Sequence, residues 1–238
     1  MKVIILSVSK YKEKDCIYNA LSEEGLVSFQ AKGAQDPKSK FIWLNNPLTI
    51  ADVEFLEDGR YKHKLVKAAM PVLFALSSDY DYDYICAVNA LVDLSNNVLL
   101  DEEKQLAFKD LLNAIKALKE GKDHHMVILI YLAKLLKYSG VELEVDKCVF
   151  CGSKEHMVAF SLENGGFVCT NCIRNDINRD LKVSQMRLIR FIFKSPDFSY
   201  IDKVEYDISD KKLILKKLKE FADVSVGACL KSLDELIK

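Results

Sequence analysis

Four cysteines in two tight pairs are the residues whose spacing most directly predicts chemistry. Cys148 and Cys151 form the first pair, and Cys169 and Cys172 form the second, with residues 152–168 between them. Two cysteines separated by two residues can point both sulfurs at one ion, and four thiolates complete the tetrahedral shell of Zn²⁺. Because no position is left open for water, the pattern predicts one structural zinc ion. The alternative is chance CxxC motifs or a redox-active pair.

Two basic clusters are the candidates for contact with nucleic acid. Their lysines and arginine are interleaved with aromatic residues, a composition that suits phosphate contacts and base stacking. The alternative is that the aromatic residues fill a core and the lysines are only solvated. A formal net charge of −1 means that any such binding depends on a local patch. The predicted DNA-binding residues are Lys32, Lys38, Lys40, Arg60, Lys62 and Lys64, beside the aromatic residues Phe29, Phe41, Trp43 and Tyr61.

A further basic run, later in the chain, is the alternative location for DNA. Its structural interpretation is a solvated helix face, balanced by neighbouring acids. The run contains Lys211, Lys212, Lys216, Lys217 and Lys219.

The elements that must position these residues change in character near Pro71. Before it, short alternating runs are separated by turn residues, and the Asp58-Gly59 pair indicates a hairpin. We therefore expect a small closed or partly closed β-barrel in residues 1–75. After it, helical periodicity predicts an all-α domain in residues 76–238, interrupted by a zinc finger at about 146–175. The expected strands cover residues 3–8, 16–20, 26–31, 41–44, 49–56 and 61–68, and the expected helices include residues 184–194, 209–221 and 224–237.

Composition and cysteine usage suggest a folded cytoplasmic protein. Half of the 238 residues are hydrophobic and 29% are charged, and no apolar run reaches the roughly 18 residues of a membrane-spanning helix. The odd count of seven cysteines and the lack of an export signal favour a reducing compartment. The remaining cysteines, Cys16, Cys86 and Cys229, lie among apolar residues, so we expect all three in the core.

Three segments together resemble one known family. Residues 11–25 form an opening that ends in a turn glycine, and residues 31–41 form a basic stretch rich in small residues. The third segment, residues 148–172, combines both cysteine pairs with Phe160 and Gly165-Gly166. In their order and spacing, these segments resemble the bacterial recombination mediator family RecO.

The resemblance implies a fold and a function. The implied fold is α+β and multidomain: an N-terminal OB-fold barrel, then an all-α domain with an inserted four-cysteine zinc finger. The implied function is DNA repair and recombination after DNA damage, without enzymatic activity. Such a mediator binds single- and double-stranded DNA, anneals complementary strands and, with RecR, helps load recombinase onto strands coated by single-strand-binding protein. It also implies a nucleoid-associated location. Ala34-Gln35-Asp36-Pro37 replaces the family's usual arginines, and Lys32, Lys38 and Lys40 remain.

Two other classes of function compete with a mediator. A metal-dependent nuclease would need an acidic cluster, and Asp79, Asp81 and Asp83 are the densest acids. They lack the spacing of a known catalytic motif and instead suggest the approach to a helix. A zinc-ribbon adaptor that contacts only proteins is the second competitor, because the near-neutral charge does not demand DNA.

Overall fold

A five-stranded barrel forms the N-terminal part of the computed structural model, which describes residues 1–56, 64–76, 81–141, 143–177, 179 and 181–238. The strands pair in the order β1-β2-β3-β5-β4, and β4 closes the barrel on β1 through the pair Lys2 and Asp52. Only the β3–β5 pairing is parallel. This is the small, Greek-key-type closure expected for an OB-fold. The strands are β1 (Lys2–Tyr11), β2 (Asp15–Ser22), β3 (Gly25–Ala31), β4 (Ile50–Leu56) and β5 (Lys64–Leu73).

Strand β1 is buried on both faces because the barrel rests on the helical part. Val3 and Ile5 point into the barrel core, whereas Ile4 and Leu6 join the core of the helices. Side chains alternate between the two faces of a strand, so one apolar run can serve both cores. The division into residues 1–75 and 76–238 stays a prediction.

One expected strand is instead a short 3₁₀ helix. Residues 41–44 were expected to be extended, but Ile42–Asn45 forms the 3₁₀ helix. Phe41 and Leu44 are buried while Ile42 is exposed, and burial every third residue matches the three-residue turn of this helix. The Asp58-Gly59 hairpin lies outside the described residues.

Six α-helices follow in the described part of the chain, and α3 is their centre. Eleven of the 15 residues of α3 are buried, and it packs against α1, α2, α4 and α5. A helix that is apolar all round belongs inside a bundle. The helices are α1 (Tyr82–Asn97), α2 (Lys104–Lys119), α3 (His124–Tyr138), α4 (Val183–Lys194), α5 (Ile208–Ser225) and α6 (Leu233–Ile237), with a second 3₁₀ helix at Phe198–Lys203.

The C-terminal segment differs from the expected single helix over 224–237. Helix α5 ends at Ser225, and only α6 is helical afterwards. Leu230, in the turn between them, and Leu233, at the start of α6, are both fully buried. The prediction for Cys229 was wrong as well, since this residue is exposed, whereas Cys16 and Cys86 are buried as expected.

A two-stranded hairpin interrupts the helices between α3 and α4. It consists of β6 (Met157–Ser161) and β7 (Gly166–Cys169), which pair in antiparallel fashion. Phe160 and Phe167 face each other across it at 5.2 Å between ring centroids, and both belong to the helical core. The hairpin therefore attaches the cysteine-bearing segment to the bundle. No helix in the described ranges is long and apolar enough to cross a membrane.

Candidate metal centre and nucleic-acid interface

The four predicted cysteine ligands come together at one point. The sulfurs of Cys148, Cys151, Cys169 and Cys172 all lie within 4.8 Å of one another, and those of Cys151 and Cys169 are 3.6 Å apart. Four sulfurs around one Zn²⁺ at bonds of about 2.3 Å would be about 3.8 Å apart. The cluster is therefore close to the size that a tetrahedral ion requires. It is the one such group of His, Cys, Asp or Glu within the described part of the chain.

Tight backbone turns hold the paired cysteines close to one another. After Cys148 the chain reverses, with Gly152 N donating to Cys148 O at 2.9 Å and Cys148 N donating to Ser153 O at 2.7 Å. Gly152 has φ +71°, the left-handed conformation that glycine adopts without strain. In the second pair, Cys172 N donates to Cys169 O at 3.1 Å. Both CxxC pairs thus form compact knuckles.

The electrostatics of the cluster suit a cation. Burial opposes ionisation of Cys148, but N–H donors from Cys169, Cys151 and Phe150 outweigh it and lower the pKa of this thiol to about 6. Hydrogen bonding with Cys151, followed by burial, raises the pKa of Cys172 to about 12. The first thiolate of the cluster thus forms readily, whereas ionisation of a further thiol is unfavourable. A bound dication would favour that ionisation, because it attracts the added negative charge. His156, which is exposed, stands outside the cluster.

A close backbone contact fixes the cluster to the segment that follows α3. Glu144 N donates to Gly165 O at 2.8 Å, and Phe167 N donates to Glu144 O at 3.0 Å. A Cβ atom on Gly166 would lie 2.2 Å from the carbonyl oxygen of Glu144, so only glycine fits there. The Gly165-Gly166 pair therefore closes the hairpin, as expected, and also admits a neighbouring chain segment.

The predicted DNA-binding lysines that the structure describes lie on the surface of the barrel. Lys32, Lys38, Lys40 and Lys64 are all exposed. Lys64 pairs in register with Phe29 on β3, and Lys32 directly follows the end of β3 at Ala31. We call these four residues the barrel edge. Arg60 and Lys62 lie outside the described residues.

The loop that carries three of these lysines is tied to the barrel. Asp15 accepts from Gly33 N at 2.9 Å, and Gln35 Nε2 donates to Asp15 O at 2.6 Å. Asn45 Nδ2 donates to Ala34 O at 3.0 Å, and Ala34 itself is fully buried. Residues 33–35 thus hold the loop in place.

The aromatic residues beside the lysines are mainly core. Phe29 and Phe41 are buried, and Trp43 is half-buried with its Nε1 donating to Lys40 O at 2.7 Å. The ammonium groups of Lys40 and Lys64 instead lie over the rings of Phe41 and Phe55, at 4.9 and 5.5 Å. The barrel edge is therefore suited to phosphate contacts more than to base stacking.

Two lysines of the alternative basic run on α5 form ion pairs with acidic residues of the same chain. Lys211 forms an ion pair with Asp123 at 2.5 Å, and Lys219 pairs with Asp223 at 2.9 Å. Lys216 is exposed. Because Lys211 is buried, the run is not the fully solvated helix face that was expected, and its paired lysines are less available to DNA than those of the barrel.

The acids that precede α1 and the two histidines at the start of α3 have structural positions. Asp81 caps α1, accepting from Tyr84 N at 2.8 Å, which fits the expected helix approach, and Asp79 lies outside the described residues. His124 begins α3, and the adjacent His125 is buried. Its buried ring contacts Leu236 O at 2.9 Å.

A basic surface that the sequence analysis missed lies on α4. Arg187, Arg190 and Lys194 are exposed there, while Leu188 and Ile189 are buried. The spacing of these cations by three and four residues could have placed them on one helix face.

A closed OB-type barrel, a helical bundle and a four-cysteine hairpin in one chain define a class of multidomain α+β proteins. Comparison with known proteins narrows this class. The family description "Recombination protein O N terminal" matches residues 1–68, and "Recombination protein O C terminal" matches residues 79–234. The chain belongs to the RecO family of DNA repair proteins.

Individual relatives match most of the chain. The DNA repair protein RecO of Bacillus pumilus (strain SAFR-032) is 27% identical over 242 residues, covering 96% of this chain and 90% of the relative. That of Bacillus subtilis (strain 168) is 27% identical over 237 residues, with the same coverage. That of Clostridium perfringens (strain 13 / Type A) is 30% identical over 173 residues, covering 71% and 70%.

Proposed function

We propose that this protein is a recombination mediator that binds DNA through the barrel edge and anneals complementary strands. The observation that carries the proposal is the exposure of Lys32, Lys38, Lys40 and Lys64 on an OB-type barrel, where Lys64 pairs in register with a residue of the strand that Lys32 follows. Lysine ammonium groups act as point charges toward phosphate, so binding should not depend on sequence. Family membership supports the assignment to DNA repair.

We further propose that the cysteine cluster holds one structural Zn²⁺. The donor set is four sulfurs, which is typical of zinc and leaves no open coordination position for a substrate. Zinc bound there would supply folding energy to the hairpin and no chemistry. On this proposal the protein is not an enzyme.

The proposed partners come from family membership. They are single- and double-stranded DNA, RecR and single-strand-binding protein, with a cytoplasmic, nucleoid-associated location. We propose the barrel, residues 1–75, as the nucleic-acid-binding domain and residues 76–238 as the helical domain.

An annealing assay separates the mediator from a protein-only adaptor. Two complementary oligonucleotides, labelled with a donor and an acceptor dye, are mixed with and without the protein. A mediator accelerates pairing, and changing Lys32, Lys38 and Lys40 together to alanine reduces that acceleration. A matched variant that changes the exposed lysines Lys109, Lys116 and Lys231 controls for lost positive charge. No acceleration by the native protein would favour the adaptor.

The nuclease alternative has its own test. Purified protein is incubated with labelled DNA and Mg²⁺ or Mn²⁺, and the products are separated by size. The proposal predicts intact DNA. Cleavage that disappears in Asp81→Asn would replace the mediator with a nuclease.

A further inference from the structure

A groove along α4 combines cations and aromatic rings. Its volume is about 490 Å³. Its lining, among the residues that the structure describes, includes no acidic side chain. We call it the α4 groove, and its charged and aromatic lining residues are Arg187, Arg190, Lys194, Phe191, Tyr200 and Tyr206.

The cations of the α4 groove are arranged to hold an anion. Arg190 Nη2 and Lys194 Nζ both reach the carboxylate of Asp146, at 3.0 and 2.7 Å. One carboxylate thus already binds between two of the three cations, from the segment that leads into the first cysteine knuckle. Arg187 forms no ion pair within the described part of the chain and lies beside Tyr206. The groove therefore keeps a net positive charge.

The rings supply flat apolar surface between these charges. Tyr200 is 39% exposed, with Lys203 Nζ above its ring at 4.1 Å, and Phe191 and Tyr206 are half-buried, with ring centroids 6.1 Å apart. A single strand offers one phosphate and one base per nucleotide, which matches a lining of three cations and three rings. A duplex hides its base faces, so it could use only the charges.

The groove continues beyond the end of α4. A neighbouring cavity of about 630 Å³ shares Lys194, Ser195 and Pro196 with it. This second cavity adds Lys134 and Lys137 from α3, along with the acids Glu144 and Asp146. The two cavities therefore adjoin at the end of α4.

We propose that the α4 groove binds a second single strand of nucleic acid, separately from the barrel edge. This inference rests on the proposed function, because a protein that holds one strand on each surface can bring two strands together for annealing. The groove contains no barrel residue, so the two strands would contact different elements.

The test asks whether one protein molecule holds two strands at once. Two non-complementary single strands, one with a donor and one with an acceptor dye, are added to the full chain. Energy transfer between them reports simultaneous binding. The variant with Arg187, Arg190 and Lys194 changed to glutamine should lose affinity for the second strand by roughly tenfold, with a salt slope smaller by about 2. Its affinity for the first strand should change by less than about twofold.

Two further variants make the result specific. Tyr200→Ala leaves the Asp146 ion pairs intact and should weaken second-strand binding by about fivefold or more, as expected for one lost stack. The matched variant with Lys109, Lys116 and Lys231 changed to glutamine should behave like the native chain. Thermal denaturation and zinc content confirm that each variant is folded.

Each contrary outcome has a distinct meaning. If the native protein binds only one strand, or if the groove variant still binds two, the groove proposal is overturned while the barrel function stands. If the native protein binds no DNA, both proposals fail. If the groove variant keeps both strands but loses an acidic peptide of aspartate and phenylalanine, the groove binds protein instead.

Discussion

The cysteine cluster and the barrel edge are built in opposite ways. In the cluster, four side chains within residues 148–172 converge on one point, and the backbone turns leave them little freedom. At the barrel edge, four lysines are spread over a loop and a strand, and all of them face solvent. Loss of one metal ligand impairs binding of the ion by all four, whereas each phosphate contact contributes nearly independently to DNA affinity. A single change should therefore abolish the first site but only weaken the second.

Loss of one cysteine should have the largest effect. Cys151→Ser is expected to reduce bound zinc from one per chain to nearly none and to lower the free energy of unfolding by on the order of 3 to 5 kcal/mol, because structural zinc contributes folding energy directly. Metal analysis and denaturant unfolding measure both effects. Cys229→Ser, an exposed cysteine outside the cluster, should change neither. Full zinc content in Cys151→Ser would rule out the four-sulfur site.

The next largest effect should come from the contact beside the cluster. Gly166→Ala places a Cβ 2.2 Å from a backbone oxygen, so we expect a loss of roughly 2 to 3 kcal/mol in unfolding free energy. Gly165→Ala is the matched control, since a Cβ there meets nothing within 4 Å, although its φ is +76°. It should cost about 1 kcal/mol for the left-handed backbone alone. Equal losses in urea denaturation would contradict the close-contact explanation.

Removing the carboxylate that pairs with two cations of the α4 groove should strengthen DNA binding. Asp146 neutralises Arg190 and Lys194, and hydrogen bonding to Lys194 is the main cause that lowers its pKa. Asp146→Asn should therefore increase the affinity for single-stranded DNA by about threefold at low salt, as expected for one exposed ion pair released. Fluorescence anisotropy measures the change. Lower affinity in a variant that keeps its zinc would contradict the assignment of the α4 groove.

The smallest effect should be that of one lysine at the barrel edge. Lys64→Ala removes one phosphate contact among several, so we expect about a twofold loss of affinity for single-stranded DNA. Lys109→Ala, an exposed lysine on α2, serves as the control and should have no effect. If Lys64→Ala alone abolished binding, the edge would act as a convergent site like the cysteine cluster.

The contrast also explains how far the sequence predicts this molecule. The cysteine spacing predicts the cluster because its geometry is local, and the short strand-like runs separated by turn residues predict the barrel. Sequence could not show that Ile4 and Leu6 serve a second core, or that Arg187, Tyr200 and Tyr206 share one groove, because these depend on packing between distant segments. The strand expected at residues 41–44 was wrong because an apolar run too short to show its period fits both elements.

The salt dependence of single-strand affinity is the most direct test of the central claim. The affinity of the native protein for a labelled oligonucleotide is measured from low to moderate salt, and compared with the variant in which Lys32, Lys38 and Lys40 are alanine. Three lost phosphate contacts should weaken binding and reduce the slope of log affinity against log salt by about 2. An unchanged slope would show that DNA does not bind at the barrel edge.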